Sequence, residues 1–158
     1  MPCHQETRFL PYSADQIYDL VVAIERYPEF LPWCKDARIV SREKNQVVAD
    51  LVVGTTLLRE KFTSTVTLDR PRAITVHYRS GPLSHLSNAW TFKPIVGRGG
   101  NKGCEVSFQV DFDFRSSLLR AAMTVFFDKA LAKMVAAFEE RAKALYNIPS
   151  PAKRERGR

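Results

Sequence analysis

Glu60 and Asn88 are polar residues that fall in phase with apolar positions of an alternating pattern, which makes them the first candidates for chemistry in this chain. Burying a carboxylate or an amide among apolar groups is costly unless it is paired, so either can orient the polar end of a bound molecule. A strand bulge or a solvent-facing position accounts for them equally well. Arg120 and Arg141 lie beside an apolar helical stripe, where their long arms can reach inward or snorkel to water. Enzymatic signatures are absent: there is no GxSxG elbow, no HExxH pair and no workable Ser-His-Asp spacing. Acid–base catalysis needs a second group converging on Glu60, so a non-catalytic protein is expected, with no catalytic cofactor. Cys3, His4, His77 and His85 lack the spacing of a metal set, and no metal is expected. Cys3, Cys34 and Cys104 form no CxxC pair and read as reduced thiols. The run Gly97 to Gly103 imitates a phosphate loop, but it joins two predicted strands instead of opening a helix, so it reads as a flexible hairpin.

The elements that must position these residues are legible from period. Residues 4–12 suit a short first strand, and Ser13-Ala14-Asp15-Gln16 is a capping-box pattern ahead of Ile17, Leu20, Val21 and Ile24 at helical spacing. Pro28 and Pro32 stop that helix, and the aromatic stretch from Tyr27 to Cys34 reads as a second short helix or a compact turn. Period-2 alternation then takes over. Val47, Ala49, Leu51 and Val53 share a face, as do Leu58, Phe62, Val66 and Leu68 with Glu60 and Ser64. Further faces follow in Ile74, Val76 and Tyr78, in Leu86, Asn88, Trp90 and Phe92, and in Cys104 to Phe114. One wet face and one covered face, joined by short turns, mean an antiparallel meander. From Ser117 to Tyr146 the period becomes helical, with Leu119, Met123, Phe126, Phe127, Ala130, Met134, Ala137, Phe138 and Leu145 on one stripe.

The predicted fold is α+β: a curved antiparallel sheet of six to seven strands, two short N-terminal helices, and one long C-terminal helix over a cavity. A bent sheet and a straight helix cannot touch everywhere, and the gap between them is expected to be lined by Phe62, Trp90, Phe108, Phe112, Met123, Phe127, Met134 and Phe138. Leu86, Glu60 and Asn88 share those faces. Taken singly, each of these residues also reads as ordinary core.

With 45% apolar and 26% charged residues in 158, the chain suits one soluble domain, here taken as residues 1–148. It has no apolar run of about 18 residues and its N-terminus shows no secretory or organellar signal. A bacterial cytoplasmic protein is expected, or a mature form without its presequence. The net charge is +7. Its excess gathers in residues 149–158, read as a disordered basic tail whose Lys153, Arg154, Arg156 and Arg158 suit anionic lipid or RNA. Aromatic residues are not interleaved with basic ones on the wet strand faces, so DNA is not an expected partner.

Tyr27-Pro28-Glu29-Phe30-Leu31-Pro32-Trp33-Cys34 resembles the YPxFLPWC signature of the coenzyme Q-binding START-domain family. Similar matches run through Phe9 to Ala14, Arg59 to Phe62, Gly81-Pro82-Leu83 with Leu86 and Trp90, and Ala136 to Ala142, covering nearly the whole chain in order. The family includes the bacterial RatA proteins, described as ribosome-association toxins. The resemblance implies a helix-grip (Bet v 1-like, polyketide cyclase-like) fold with a lipophilic tunnel. It further implies a ubiquinone-binding or ubiquinone-delivering protein that supports respiration at the inner membrane. Tyr27, Phe30, Leu31 and Trp33 are then expected to shape the cavity or gate its mouth, or to form a packed corner. An isoprenoid tail contributes about 0.8 kcal/mol per buried CH₂, so about two or three isoprene units suffice for micromolar binding after ordering costs. Two rival readings stay open: a RatA-like regulator binding the large ribosomal subunit, and a polyketide cyclase or aromatase using Glu60.

Overall fold

Alternation in the middle of the chain does become one sheet in the computed structural model, which describes residues 3–96, 100 and 102–146. Seven strands pair antiparallel: β1 (Cys3–Leu10), β2 (Cys34–Glu43), β3 (Gln46–Gly54), β4 (Arg59–Asp69), β5 (Ala73–Ser80), β6 (Leu83–Val96) and β7 (Lys102–Phe114). Their order across the sheet is β1-β7-β6-β5-β4-β3-β2. Six consecutive strands thus form a meander, and the first strand returns to close on the last. The basic tail, residues 149–158, and residues 97–99 and 101 of the glycine-rich run lie outside the described residues.

Between β1 and β2 the chain makes α1 (Ala14–Val22) and a 3₁₀ helix over Ile24–Glu29. The capping box forms as the spacing predicts: Gln16 N donates to Ser13 Oγ at 3.1 Å and Ser13 N donates to Gln16 Oε1 at 2.9 Å. Ile17, Leu20 and Val21 are buried, joined by Ala14 and Tyr18. The second helix starts earlier than its aromatic signature suggested and ends at Glu29, so Phe30 to Trp33 form the compact turn into β2.

The long helix differs from its expected form. It is split into α2 (Ser117–Ala132) and α3 (Met134–Tyr146) at Lys133, whose backbone N–H turns back to the Ala130 carbonyl at 3.2 Å. No proline or glycine forces this break. It falls where the helix passes from lying along β7 to packing on α1 and β1, so each half follows its own wall. Leu145, placed on the inward stripe by its spacing, is turned out to solvent. Tyr146 takes that position and donates its hydroxyl to the Gln16 carbonyl at 3.1 Å.

The core fills the concave side of the sheet. Phe92, Val106, Phe138, Leu10 and Ile17 are among its fully buried members. Among the described residues, no helix is long and apolar enough to cross a membrane.

Candidate functional site

Side chains alternate across a strand, so a single face of β3 to β7 supplies the site's wall. Leu51 opposes Phe62, Ile74 opposes Trp90, and Trp90 opposes Phe108 in the register of neighbouring strands. Helices α2 and α3 roof this wall, and between roof and wall lies a cavity of about 150 Å³. Its lining is overwhelmingly apolar, with three polar side chains: Glu60, Ser64 and Asn88.

Trp90 is the aromatic hub. Its ring lies 4.6 Å from Phe108 and 5.0 Å from Phe138, the latter edge-on, in the geometry that aromatic quadrupoles favour. Tyr27 closes one side by meeting Phe138 edge-on at 5.5 Å and donating its hydroxyl to the Val21 carbonyl. Burial holds the Tyr27 phenol well above the usual tyrosine range, so it stays neutral.

Tyr27, Trp33, Glu60, Phe62, Leu86, Asn88, Trp90, Phe108, Phe112, Phe127, Met134 and Phe138 all line the cavity. Phe30, Leu31 and Met123 do not. Phe30 sits one layer out, edge-on to Phe138 and under the Arg141 guanidinium at 5.0 Å. Leu31 is drawn into the core by the turn, its N–H on the Tyr27 carbonyl at 2.9 Å. Met123 is buried in the packed core beneath α2, short of the cavity.

The two arginines beside the helical stripe point outward to acids. Arg120 grips Asp113 with two hydrogen bonds of 2.7 and 3.1 Å, and Arg141 pairs with Glu29. Cys34 and Cys104 are inert as nucleophiles, because burial pushes their thiols up to about 12 and about 11. The polar lining atoms are differently engaged. Asn88 donates from Nδ2 to the Gln109 carbonyl at 2.8 Å, while the Ser64 hydroxyl has no hydrogen-bond partner among the described residues. Ser64 shares the phase of Glu60 along β4, so the alternation that marked Glu60 marks Ser64 as well.

Burial grades the lining. Ser64, Val66, Ile74 and Trp90 form a buried floor, while Trp33, Glu60, Phe62, Pro82 and Leu86 are partly exposed and mark the mouth. The mouth lies at the sheet end that carries the β3–β4 and β5–β6 turns and the start of α2. Leu57 and Leu118, both highly exposed, stand on that rim. Such a site can enclose an apolar ring or chain and offer it a few directed hydrogen bonds.

Known proteins are similar to this chain in sequence and in shape. The ribosome association toxin RatA of Pseudomonas aeruginosa is 34% identical over 142 residues, 90% of this chain and 96% of that protein. The mitochondrial coenzyme Q-binding protein COQ10 homolog B of Xenopus laevis is 32% identical over 144 residues, 90% of this chain and 59% of that one. The solution structure of an 18 kDa Caulobacter crescentus protein superposes with a TM-score of 0.72 at 36% identity, covering 93% of this chain and 99% of that one. Residues 10–139 match the profile of the family described as polyketide cyclase / dehydrase and lipid transport. The chain belongs to that family, among the START-like members that include RatA and the coenzyme Q-binding proteins.

Proposed function

We propose that this protein is a non-catalytic ubiquinone binder that shields the lipid between the membrane and the respiratory enzymes. The observation that carries this reading is the apolar cavity with its sparse polar lining. Left empty, a cavity of about 150 Å³ costs roughly 3–4 kcal/mol at about 24 cal/mol per Å³, a cost that an occupant removes. An engineered cavity of about this size takes a benzene-sized guest, which matches the bare six-membered ring of a quinone, its substituents and tail needing the space toward the mouth. The isoprenoid tail then leaves through the mouth between Phe62, Pro82 and Leu86, along the rim at Leu57 and Leu118. The coenzyme Q-binding relative supports the choice of ligand. The protein works in a bacterial cytoplasm, and its basic tail draws it to the anionic inner membrane.

Similarity to a ribosome association toxin favours a second reading, in which the wet sheet face and the tail contact the large ribosomal subunit. Organic extraction of the purified protein followed by mass spectrometry separates the two. Near-stoichiometric ubiquinone is the expected result. An empty protein that sediments with large subunits, and loses them steeply as salt rises, would sink the quinone reading.

A further inference from the structure

A serine in the floor of an apolar cavity is an expensive choice unless something binds it. Ser64 is only 4% exposed, and its hydroxyl is one of two buried side-chain polar atoms without a partner among the described residues. Leaving such a hydroxyl unpaired costs about 1–3 kcal/mol, whereas alanine or valine at the same place costs nothing of the kind. Its cross-strand neighbours offer no relief. Ala49 on β3 is apolar, and the Tyr78 hydroxyl on β5 accepts from the Leu83 N–H at 3.0 Å and makes no hydrogen bond to Ser64.

Asn88 lies on the far side of β5 from Ser64. It pairs with Val76, which pairs with Val66, one same-face step along β4 from Ser64. Two strand spacings and a two-residue step along β4 therefore separate their backbones by about 12 Å across the concave face. The Asn88 amide spends one N–H on Gln109 and keeps a second N–H and its carbonyl oxygen. Polar atoms thus stand at two places on the same concave wall, one on each side of β5, with Trp90 and Phe138 supplying apolar surface between helix and sheet.

We propose that Ser64 and Asn88 form a two-ended anchor for a ring bearing oxygens on opposite edges, a para-quinone or its quinol. This rests on the quinone-binding reading and adds the residues that hold the ring. A serine hydroxyl and an amide each both donate and accept. They can donate to the carbonyls of the oxidised ring and accept from the hydroxyls of the reduced one. The site therefore holds both redox forms with similar affinity, as befits a carrier that does no redox work.

The test is titration of the delipidated full-length protein, followed by Trp fluorescence, with a single-isoprene ubiquinone analogue, its quinol, and farnesol as a ringless chain. Wild type is expected to bind quinone and quinol within about threefold of each other and farnesol more weakly. Ser64→Ala is expected to weaken both ring ligands by about three- to tenfold, leave farnesol unchanged, and leave or raise the melting temperature of the ligand-free protein. A serine with a purely structural role would instead lower that melting temperature and spare affinity, which overturns the anchor. Quinone binding equal in wild type and Ser64→Ala also overturns it while leaving ubiquinone as the ligand. Failure of wild type to bind any quinone overturns the ubiquinone reading itself.

Discussion

Arg120 reaches back seven residues to hold Asp113 with a forked pair of hydrogen bonds, tying the start of α2 to the end of β7. The Arg120 hydrogen bonds, aided by the Phe114 N–H, hold the Asp113 carboxyl below its ordinary value of 3.8. A depressed carboxylate stabilises the fold at pH above its unfolded value and loses that contribution as pH falls through its lower folded value. Asp113→Asn is therefore expected to lower the urea midpoint at neutral pH, and the gap to wild type is expected to narrow as pH falls below the ordinary 3.8. Unfolding curves at the two pH values check this. Asp50 behaves alike on the outer face, where Thr63 and Arg38 hydrogen bonds lower its carboxyl. At this scale the sequence was only partly legible. Glu60 and Asn88 stood out because polar residues interrupted an apolar phase, and the structure places both in the cavity wall. Ser64 carried the same signal, but a small hydroxyl is ordinary in strands and its lack of a partner is a tertiary fact. Arg120 and Arg141 find acids that no local spacing announces.

Turns and helices differ in how much the chain dictates them. The strands were readable because period 2 is local, and the Gly81-Pro82 turn because it carries a backbone need. Gly81 has φ of +140°, and a Cβ there would lie 2.6 Å from the Phe62 Cβ. Neither the strained backbone nor the wall of β4 can yield cheaply. Gly81→Ala is expected to destabilise the protein by about 1–3 kcal/mol in urea unfolding and, by displacing Phe62 at the mouth, to weaken ligand binding. The break at Lys133 was not readable, since helical period continues through it and packing on different neighbours creates it. The same cause misplaced Leu145. Met123 fell on the right stripe yet reaches core beside the cavity, because a stripe gives the face of a helix and not its distance from the sheet.

As a whole molecule, the protein encloses an apolar cavity in a chain whose net charge is +7. Ala130 on α2 lines the cavity, so Ala130→Leu fills space without touching the outer sheet face. The ligand-free variant is expected to melt above wild type, because filled volume recovers lost contacts, while copurified lipid falls sharply. Differential scanning fluorimetry and extraction measure the two effects. Any ribosome association that survives in Ala130→Leu belongs to the exterior alone. The overall architecture was the most legible level, since element order and short turns leave few ways to cover one concave sheet. The return of β1 to β7 has a further consequence. Thr7 pairs with Ser107, and Arg8 with both Val106 and Glu139, so the outer edge of the sheet waits on residues about a hundred positions later. A chain emerging from a ribosome can assemble β2 to β6 as it appears, but must hold its first strand and first helix unsatisfied until the end is made. Synthesis of this protein therefore passes through an interval in which its first strand and first helix lack their partners, and the apolar surface they later bury stays exposed until the last strand and helix emerge.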